Sequence, residues 1–247
     1  MNAPIISVRG LEARYGDSSI LRDIDLDIRP HEVSVILGSS GCGKTTLLKN
    51  ILRLEQPFAG SVKYWGEELT DMHEIRYQEV LKRFGVLFQG SALLNSLPVY
   101  DNIAIPLEQH TRLSQRVIDR LVREKLHLVR LDGAIYHLPS ELSGGMKKRA
   151  ALARAIVLDP EILFCDEPTS GLDPLTALAL DELLLDLKSK LDMTIVVVTH
   201  ELASIQRLAD RIFFIDNGAL IFSGTPAEAQ KAGLDTIDHF FEAGRFD

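Results

Sequence analysis

Glu32 to Leu37 (EVSVIL), followed by Gly38-Ser39-Ser40-Gly41-Cys42-Gly43-Lys44-Thr45, is the stretch whose reading decides the fold. A short β-rich apolar run ends in glycine, the chain makes a glycine-rich turn, and helix-favouring residues begin at Lys44. The turn fits the spacing GxxxxGK[ST], in the strand-to-helix context that the pattern requires. Glycines at these positions let the backbone curl so that successive N–H groups of Gly38, Ser39, Ser40, Gly41, Cys42 and Gly43 face phosphate groups. The helix N-terminus adds about half a positive charge. In such a loop Lys44 bridges the β and γ phosphates of a nucleotide, Thr45 ligates Mg²⁺, and Thr46 lies beside it. The plainer alternative is a glycine-rich turn that only caps a helix.

Outward from this loop, two further apolar runs have the same character, Ile162 to Cys165 before Asp166, and Thr194 to Val198 before Thr199-His200. Near-continuous Val/Ile/Leu runs separated by helical segments predict a parallel sheet covered on both faces, and so an α/β fold. Upstream, Ile5 to Leu11 and Ile20 to Ile28 alternate apolar with polar residues, and Ser61 to Trp65 follows Gly60. These predict a smaller antiparallel sheet. Between Gln89 and Asp159 the period changes: Val117, Ile118, Leu121, Val122, Leu126 and Val129 recur at helical spacing. The expected organisation is a single domain over 1–247, with an α/β core and β subdomain from 1–90 and 159–247 and a helical insertion at 91–158.

The balance of 27 Lys+Arg against 35 Asp+Glu, net −8, disfavours generic binding to nucleic-acid backbones, although Lys147-Lys148-Arg149 could form a local basic stripe. No apolar run approaches the ~20 residues that span a bilayer. The N-terminus lacks a secretory pattern, which predicts a cytoplasmic chain. The two cysteines, Cys42 and Cys165, fall in the turn and in an apolar strand, so a disulfide framework is not expected. Alkylation of Cys42 is expected to block nucleotide binding sterically.

A second acidic site is needed for phosphoryl chemistry, and Asp166-Glu167 supplies it at the end of a buried strand. Strand ends in open α/β sheets deliver side chains into the crevice beyond the carboxyl edge. Asp166 is the candidate Mg²⁺ ligand and Glu167 the candidate base that polarises the attacking water. Alternatively, the pair serves as an acidic N-cap for the helix after Pro174.

Leu142-Ser143-Gly144-Gly145-Met146-Lys147-Lys148-Arg149 resembles the signature of ATP-binding-cassette (ABC) ATPases. Tyr15, Gln89, Ser170-Gly171-Leu172-Asp173 and His200 follow that family's pattern in order, so the resemblance spans essentially the whole chain. It implies a P-loop NTPase (RecA-like) core with an N-terminal antiparallel β subdomain and an inserted α-helical subdomain. It also implies an ATPase with ATP and Mg²⁺ as ligands, acting as a homodimer that closes head to tail around two nucleotides. By the same resemblance Tyr15 stacks on adenine, although read alone it is a turn aromatic beside Gly16-Asp17. Gln89 touches Mg²⁺ and the attacking water. Ser143, Gly144 and Gly145 offer a hydroxyl, backbone N–H groups and a helix dipole to the partner's γ-phosphate. Asp173 lies at the subunit contact, and His200 binds the γ-phosphate and orients Glu167.

Met146 stands where many ABC proteins have Gln. The stretches Leu87-Phe88-Gln89-Gly90-Ser91-Ala92-Leu93, Asp101 to Leu107 and Pro139 to Ala155 are similar to the ATPases of MCE-type (Mla-like) phospholipid transport systems. That similarity implies a polytopic membrane permease, an MCE-domain substrate-binding protein, a small STAS-domain protein, and a peripheral place on the cytoplasmic face of the inner membrane. Two alternatives stay open: an ABC ATPase serving another substrate, such as an amino acid or an exported compound, and a soluble ATP-switched interaction module. Phe240, Phe241 and Phe246 either dock on a neighbouring subunit or pack a short terminal helix.

Overall fold

The structure, a computed structural model, describes residues 3–39 and 41–243; Ser40 and Phe246 lie outside the described residues. In chain order the elements begin with β1 (Ile6–Tyr15), β2 (Ser18–Ile28), β3 (Val33–Gly38), α1 (Lys44–Ile51), β4 (Ala59–Tyr64), β5 (Glu67–Glu68), α2 (Glu74–Leu81) and β6 (Phe84–Leu87). They continue with α3 (Val99–His110), α4 (Gln115–Leu128), α5 (Gly144–Ala155), β7 (Ile162–Asp166), α6 (Pro174–Leu191) and β8 (Thr194–Val198). The chain ends with α7 (Leu202–Leu208), β9 (Arg211–Asp216), β10 (Ala219–Gly224), α8 (Pro226–Ala229) and α9 (Asp235–Ala243). Two compact units result, Met1–Tyr77 with Val196–Asp247, and Gln78–Ile195.

In the first unit, β2-β1-β4-β5 form the expected antiparallel sheet. Alternation sets its faces: Ile6, Val8, Leu11 and Ala13 of β1 are buried with Leu21, Ile24, Leu26 and Ile28 of β2. The unit's other strands run in the order β10-β9-β3-β8, with β8 carrying the division from the second unit between Ile195 and Val196. Strand β3 is buried along its whole length and pairs in parallel with β9, from Ser34 opposite Arg211 to Gly38 opposite Ile215. The edge departs from the all-parallel expectation, because β10 runs antiparallel to β9. Asn217 (φ 45°) and Gly218 (φ 77°) supply the reason, a two-residue connection with both φ values positive that turns the chain straight back.

In the second unit β6 and β7 are parallel, Phe84 opposite Ile162 through Leu87 opposite Cys165, and the order runs β8-β7-β6. The crossover between β6 and β7 is made of α3, α4 and α5 with two short 3₁₀ turns, the helical stretch that the change of period predicted. Ile118, Val122 and Leu126 bury the inner face of α4, Val129 is buried just past its end, and Leu121 is half-buried. Val117 does not join them: it is 40% exposed, since one position along a helix is a rotation of about 100°. The same helix buries Lys125, whose ammonium reaches Asp159 at 2.6 Å and so ends the buried stem on a charge partner. Among the described residues no helix is long and apolar enough to cross a membrane.

Candidate nucleotide site

The glycine-rich turn leaves β3 at Gly38, whose φ is 149°; a Cβ there would lie 2.0 Å from the Ile215 carbonyl oxygen of β9. The loop must run that close to its neighbour strand, and only glycine allows it. At the other end Gly43 (φ 107°) is the N-cap of α1 and has no capping side chain, so the first-turn amides of the helix are not claimed by one. Lys44 is only 8% exposed, and its ammonium donates to the carbonyls of Gly38 (3.0 Å) and Ser39 (2.9 Å), across the loop that precedes it. Thr45 is exposed and Thr46 half-buried. The Cys42 amide donates to Ser39 O at 3.3 Å, and its thiol lies 3.9 Å from the Lys44 ammonium. Burial pushes that thiol's pKa up, and the lysine charge only partly opposes it.

A polar cavity of 270 Å³ opens beside this loop, lined by Ser39, Gly41 and Cys42 together with Ser19, Arg22 and Asn217. Arg22 and Asn217 carried no sequence signal: the first sits on the polar phase of an alternating strand and the second in a hairpin turn. His200, exposed just beyond β8, shares a second and mainly apolar cavity of 390 Å³ with Ser39, Phe214, His239 and Phe240. The structure therefore brings the strand-end histidine to the phosphate loop. Phe240 packs edge-on against Phe214 at 5.3 Å and against Phe241 at 5.8 Å, which is local packing of α9. Tyr15 is 52% exposed at the end of β1, its hydroxyl donating to Glu55 at 2.6 Å with the ring left open to a stacking partner.

In the second unit Asp166 ends β7 and Glu167 follows it, both buried, with Glu167 in a left-handed conformation at φ 47°. Neither caps the helix after Pro174. That task falls to Asp173, whose carboxylate accepts from the amides of Leu175 and Thr176 (3.1 Å each) and from the Thr176 hydroxyl. Hydrogen bonds from Thr176 hold the Asp173 carboxyl below the ordinary range.

Ser143 is the N-cap of α5 and accepts from the Met146 amide at 3.3 Å. A Cβ on Gly145 would come 2.5 Å from Thr176 Cγ2, and one on Gly144 3.4 Å from Leu172 Cδ2. The first of these glycines is thus required by packing on α6 as well as by any ligand. Gln89 is exposed just beyond β6. The basic run that could have formed a stripe does not lie open: Lys148 is 5% exposed and Arg149 donates to Val129 O at 3.1 Å, because α5 turns this face inward. Within the second unit the Asp166 carboxylate and the Gln89 amide carry oxygen donors of the kind a hard cation takes, and in the first unit Thr45 carries an exposed hydroxyl. Among the described residues no three His, Cys, Asp or Glu side chains cluster as a metal site. Such oxygen donors suit Mg²⁺, which takes few protein ligands and keeps waters and substrate phosphates for the rest.

Comparison with known proteins agrees with this geometry. The sequence profile of the family described as ABC transporter matches residues 21–170. The chain is 41% identical over 240 residues to the probable ribonucleotide transport ATP-binding protein mkl of Mycobacterium leprae, covering 97% of this chain and 69% of that one. It is 41% identical to the methionine import ATP-binding protein MetN of Clostridium tetani, covering 86% of this chain and 66% of the relative. It is 39% identical to the intermembrane phospholipid transport system ATP-binding protein MlaF of Haemophilus influenzae, covering 91% and 85%. Among solved structures, the dimeric post-hydrolysis state of the ATP-binding cassette MJ0796 bound to ADP and Pi is similar at TM-score 0.81 and 28% identity, covering 89% of this chain and 98% of that one. CbiO1 from Clostridium perfringens, part of a cbiONQ transporter complex, is similar at TM-score 0.84 and 27% identity, covering 98% of this chain and 100% of that one. Its P-loop core, its strand-end carboxylates and these similarities together place the chain in the ABC transporter family, as an ATP-binding and ATP-hydrolysing cassette.

Proposed function

We propose that this cassette powers phospholipid transport through a membrane permease of an MCE/Mla-type system, as a homodimer on the cytoplasmic face of the inner membrane. An MCE-domain substrate-binding protein and a STAS-domain protein complete the proposed assembly. The observation that carries the reading is the similarity of the stretches from Leu87 to Leu93 and from Pro139 to Ala155 to lipid-system ATPases. The 39% identity to MlaF across 85% of that protein supports it. A second reading, import of an amino acid, is favoured by the 41% identity to MetN.

In the proposed cycle the amides of Gly41 to Lys44 and the dipole of α1 bind the phosphates, Lys44 neutralises the β and γ oxygens, and Tyr15 stacks on adenine. Thr45, Asp166 and Gln89 are the residues that would ligate Mg²⁺, and the ion would neutralise charge on the phosphates. Glu167 takes the proton from the attacking water, and His200 hydrogen-bonds the γ-phosphate. Ser143, Gly144 and Gly145 contact the γ-phosphate bound by the partner, near Asp173. Because that contact is available to ATP and not to ADP, ATP favours the closed pair and hydrolysis releases it. The released free energy then resets the permease.

The test is to purify tagged Glu167→Gln chain from solubilised membranes, identify co-purifying proteins and measure bound lipid by mass spectrometry. A permease with an MCE protein and enriched phospholipid supports the reading. A permease carrying neither overturns the lipid assignment in favour of the second.

A further inference from the structure

Lys148 was singled out in the sequence as part of a basic run, yet the structure buries it, and the ATPase chemistry proposed above gives it no role. Its ammonium donates to the backbone carbonyl of Gln89 at 2.6 Å and to that of Glu167 at 3.1 Å. Gln89 lies two residues beyond β6 and Glu167 directly after β7, and their side chains are assigned to the attacking water. Lys148 itself stands one turn into α5, whose N-cap is Ser143. We propose that Lys148 is a positioning residue: one buried ammonium fastens the Gln89 loop and the Glu167 backbone to the signature helix, so that the three move as a single piece. The proposal rests on the ATPase roles assigned above to Gln89 and Glu167.

Three further observations support it. Glu167 sits at φ 47° and Ser91 and Ala92 at 63° and 50°, conformations that residues with a Cβ adopt only when their surroundings hold them. Arg154, further along α5, donates to Ala92 O at 2.7 Å and Ser91 O at 2.9 Å, so the loop after Gln89 is fastened to this helix by two cations. Burial of the ammonium is costly, as the downward pressure of burial on the Lys148 pKa indicates; the nearby Cys165, Asp166 and Glu167 oppose it. A solvated lysine on the outer face of α5 would avoid that cost. The two carbonyls are ligated by a charged donor, a stronger bond than a neutral one.

The experiment compares Lys148→Met, which keeps the apolar stem and removes the donors, with Lys148→Gln, which keeps an amide donor. Steady-state hydrolysis by the full chain and hydrogen–deuterium exchange are both read. The Ser91 amide donates to Phe88 O at 2.9 Å and the Ser170 amide to Glu167 O at 3.3 Å, so each loop carries its own reporter. For Lys148→Met, kcat should fall at least 10-fold with the KM for ATP within about 2-fold. Exchange should accelerate in both segments, 88–92 and 167–171, while α6 stays protected. Lys148→Gln should fall between the variant and the original chain in both readouts. Unchanged kcat, or exchange that rises equally throughout the chain, overturns the proposal. If the original chain hydrolyses no ATP, the catalytic reading of Gln89 and Glu167 fails; the exchange result, read without nucleotide, still decides whether the tie exists.

Discussion

The phosphate loop in the first unit and the carboxylate end of β7 in the second reach precision by different routes. In the first, neighbours in sequence do almost everything: glycines at Gly38 and Gly43 set the path, and Lys44 bonds carbonyls five and six residues back in its own loop. In the second, residues far apart in sequence fix one another. Lys148 reaches Gln89 and Glu167 across separations of 59 and 19 residues. A site built from backbone fails when its path is blocked, whereas a site built from side chains can be loosened or repaired by degrees.

The largest expected effect falls on chemistry in the second unit. Glu167→Gln should lower kcat by about 10²–10⁴-fold while ATP binding survives, because a positioned base contributes on that scale and the amide keeps the side chain's shape. Turnover near the original, with nucleotide affinity measured alongside, would remove Glu167 from its role. Next comes Gly38→Ala in the first unit, whose methyl meets a backbone oxygen that no side-chain change can move. A loss of more than ~3 kcal/mol in denaturant unfolding is expected, together with loss of nucleotide binding. No second-site change at a side chain should rescue it.

Gly145→Ala sharpens the contrast from the other side. Its methyl meets the Thr176 Cγ2 methyl, and overpacking of this kind costs about 1–3 kcal/mol. Adding Thr176→Ser removes that methyl and keeps the hydroxyl that bonds Asp173, so most of the lost stability should return. A double variant no more stable than Gly145→Ala would show that the clash is not the cause.

The smallest effect concerns the cap. The Asp173 carboxyl is held below its ordinary range in the folded chain, so its contribution is complete above about pH 4 and is lost as pH falls through the lowered value. Asp173→Asn should therefore narrow the difference in melting temperature between pH 6 and pH 3 relative to the original chain. An unchanged difference would mean that the cap bonds do not depend on the charge.

Legibility in the sequence follows the same division. Strands β3, β7 and β8, the antiparallel sheet, and the helical stretch could be read because their periodicity is local, and the phosphate loop because its constraints lie within one turn of chain. The antiparallel edge could not be read from strand composition; it depends on positive φ at Asn217 and Gly218. The inward turn of Lys148 is hidden for a related cause: three adjacent basic residues look alike in a string, and only the packing of α5 decides which one is buried. Val117 is ambiguous in the same way, one helical position from a buried face. The Asp173 cap is masked in the sequence because the family resemblance directs the same residue to the subunit contact.

One amide extends this account beyond mutation. Fully buried Asn102 accepts from the Leu94 amide at 2.7 Å and shares its own N–H groups among the carbonyls of Leu94, Leu97 and Pro98 at 3.0–3.1 Å. The Leu94 N–H fixes which end is oxygen. Spontaneous deamidation to Asp would leave the shape intact and turn a donor into an anion facing three carbonyls. The segment after Gln89 therefore depends on this one side chain remaining an amide, and its place inside a helix, where the following backbone nitrogen is held away from the side-chain carbonyl, protects it against that change.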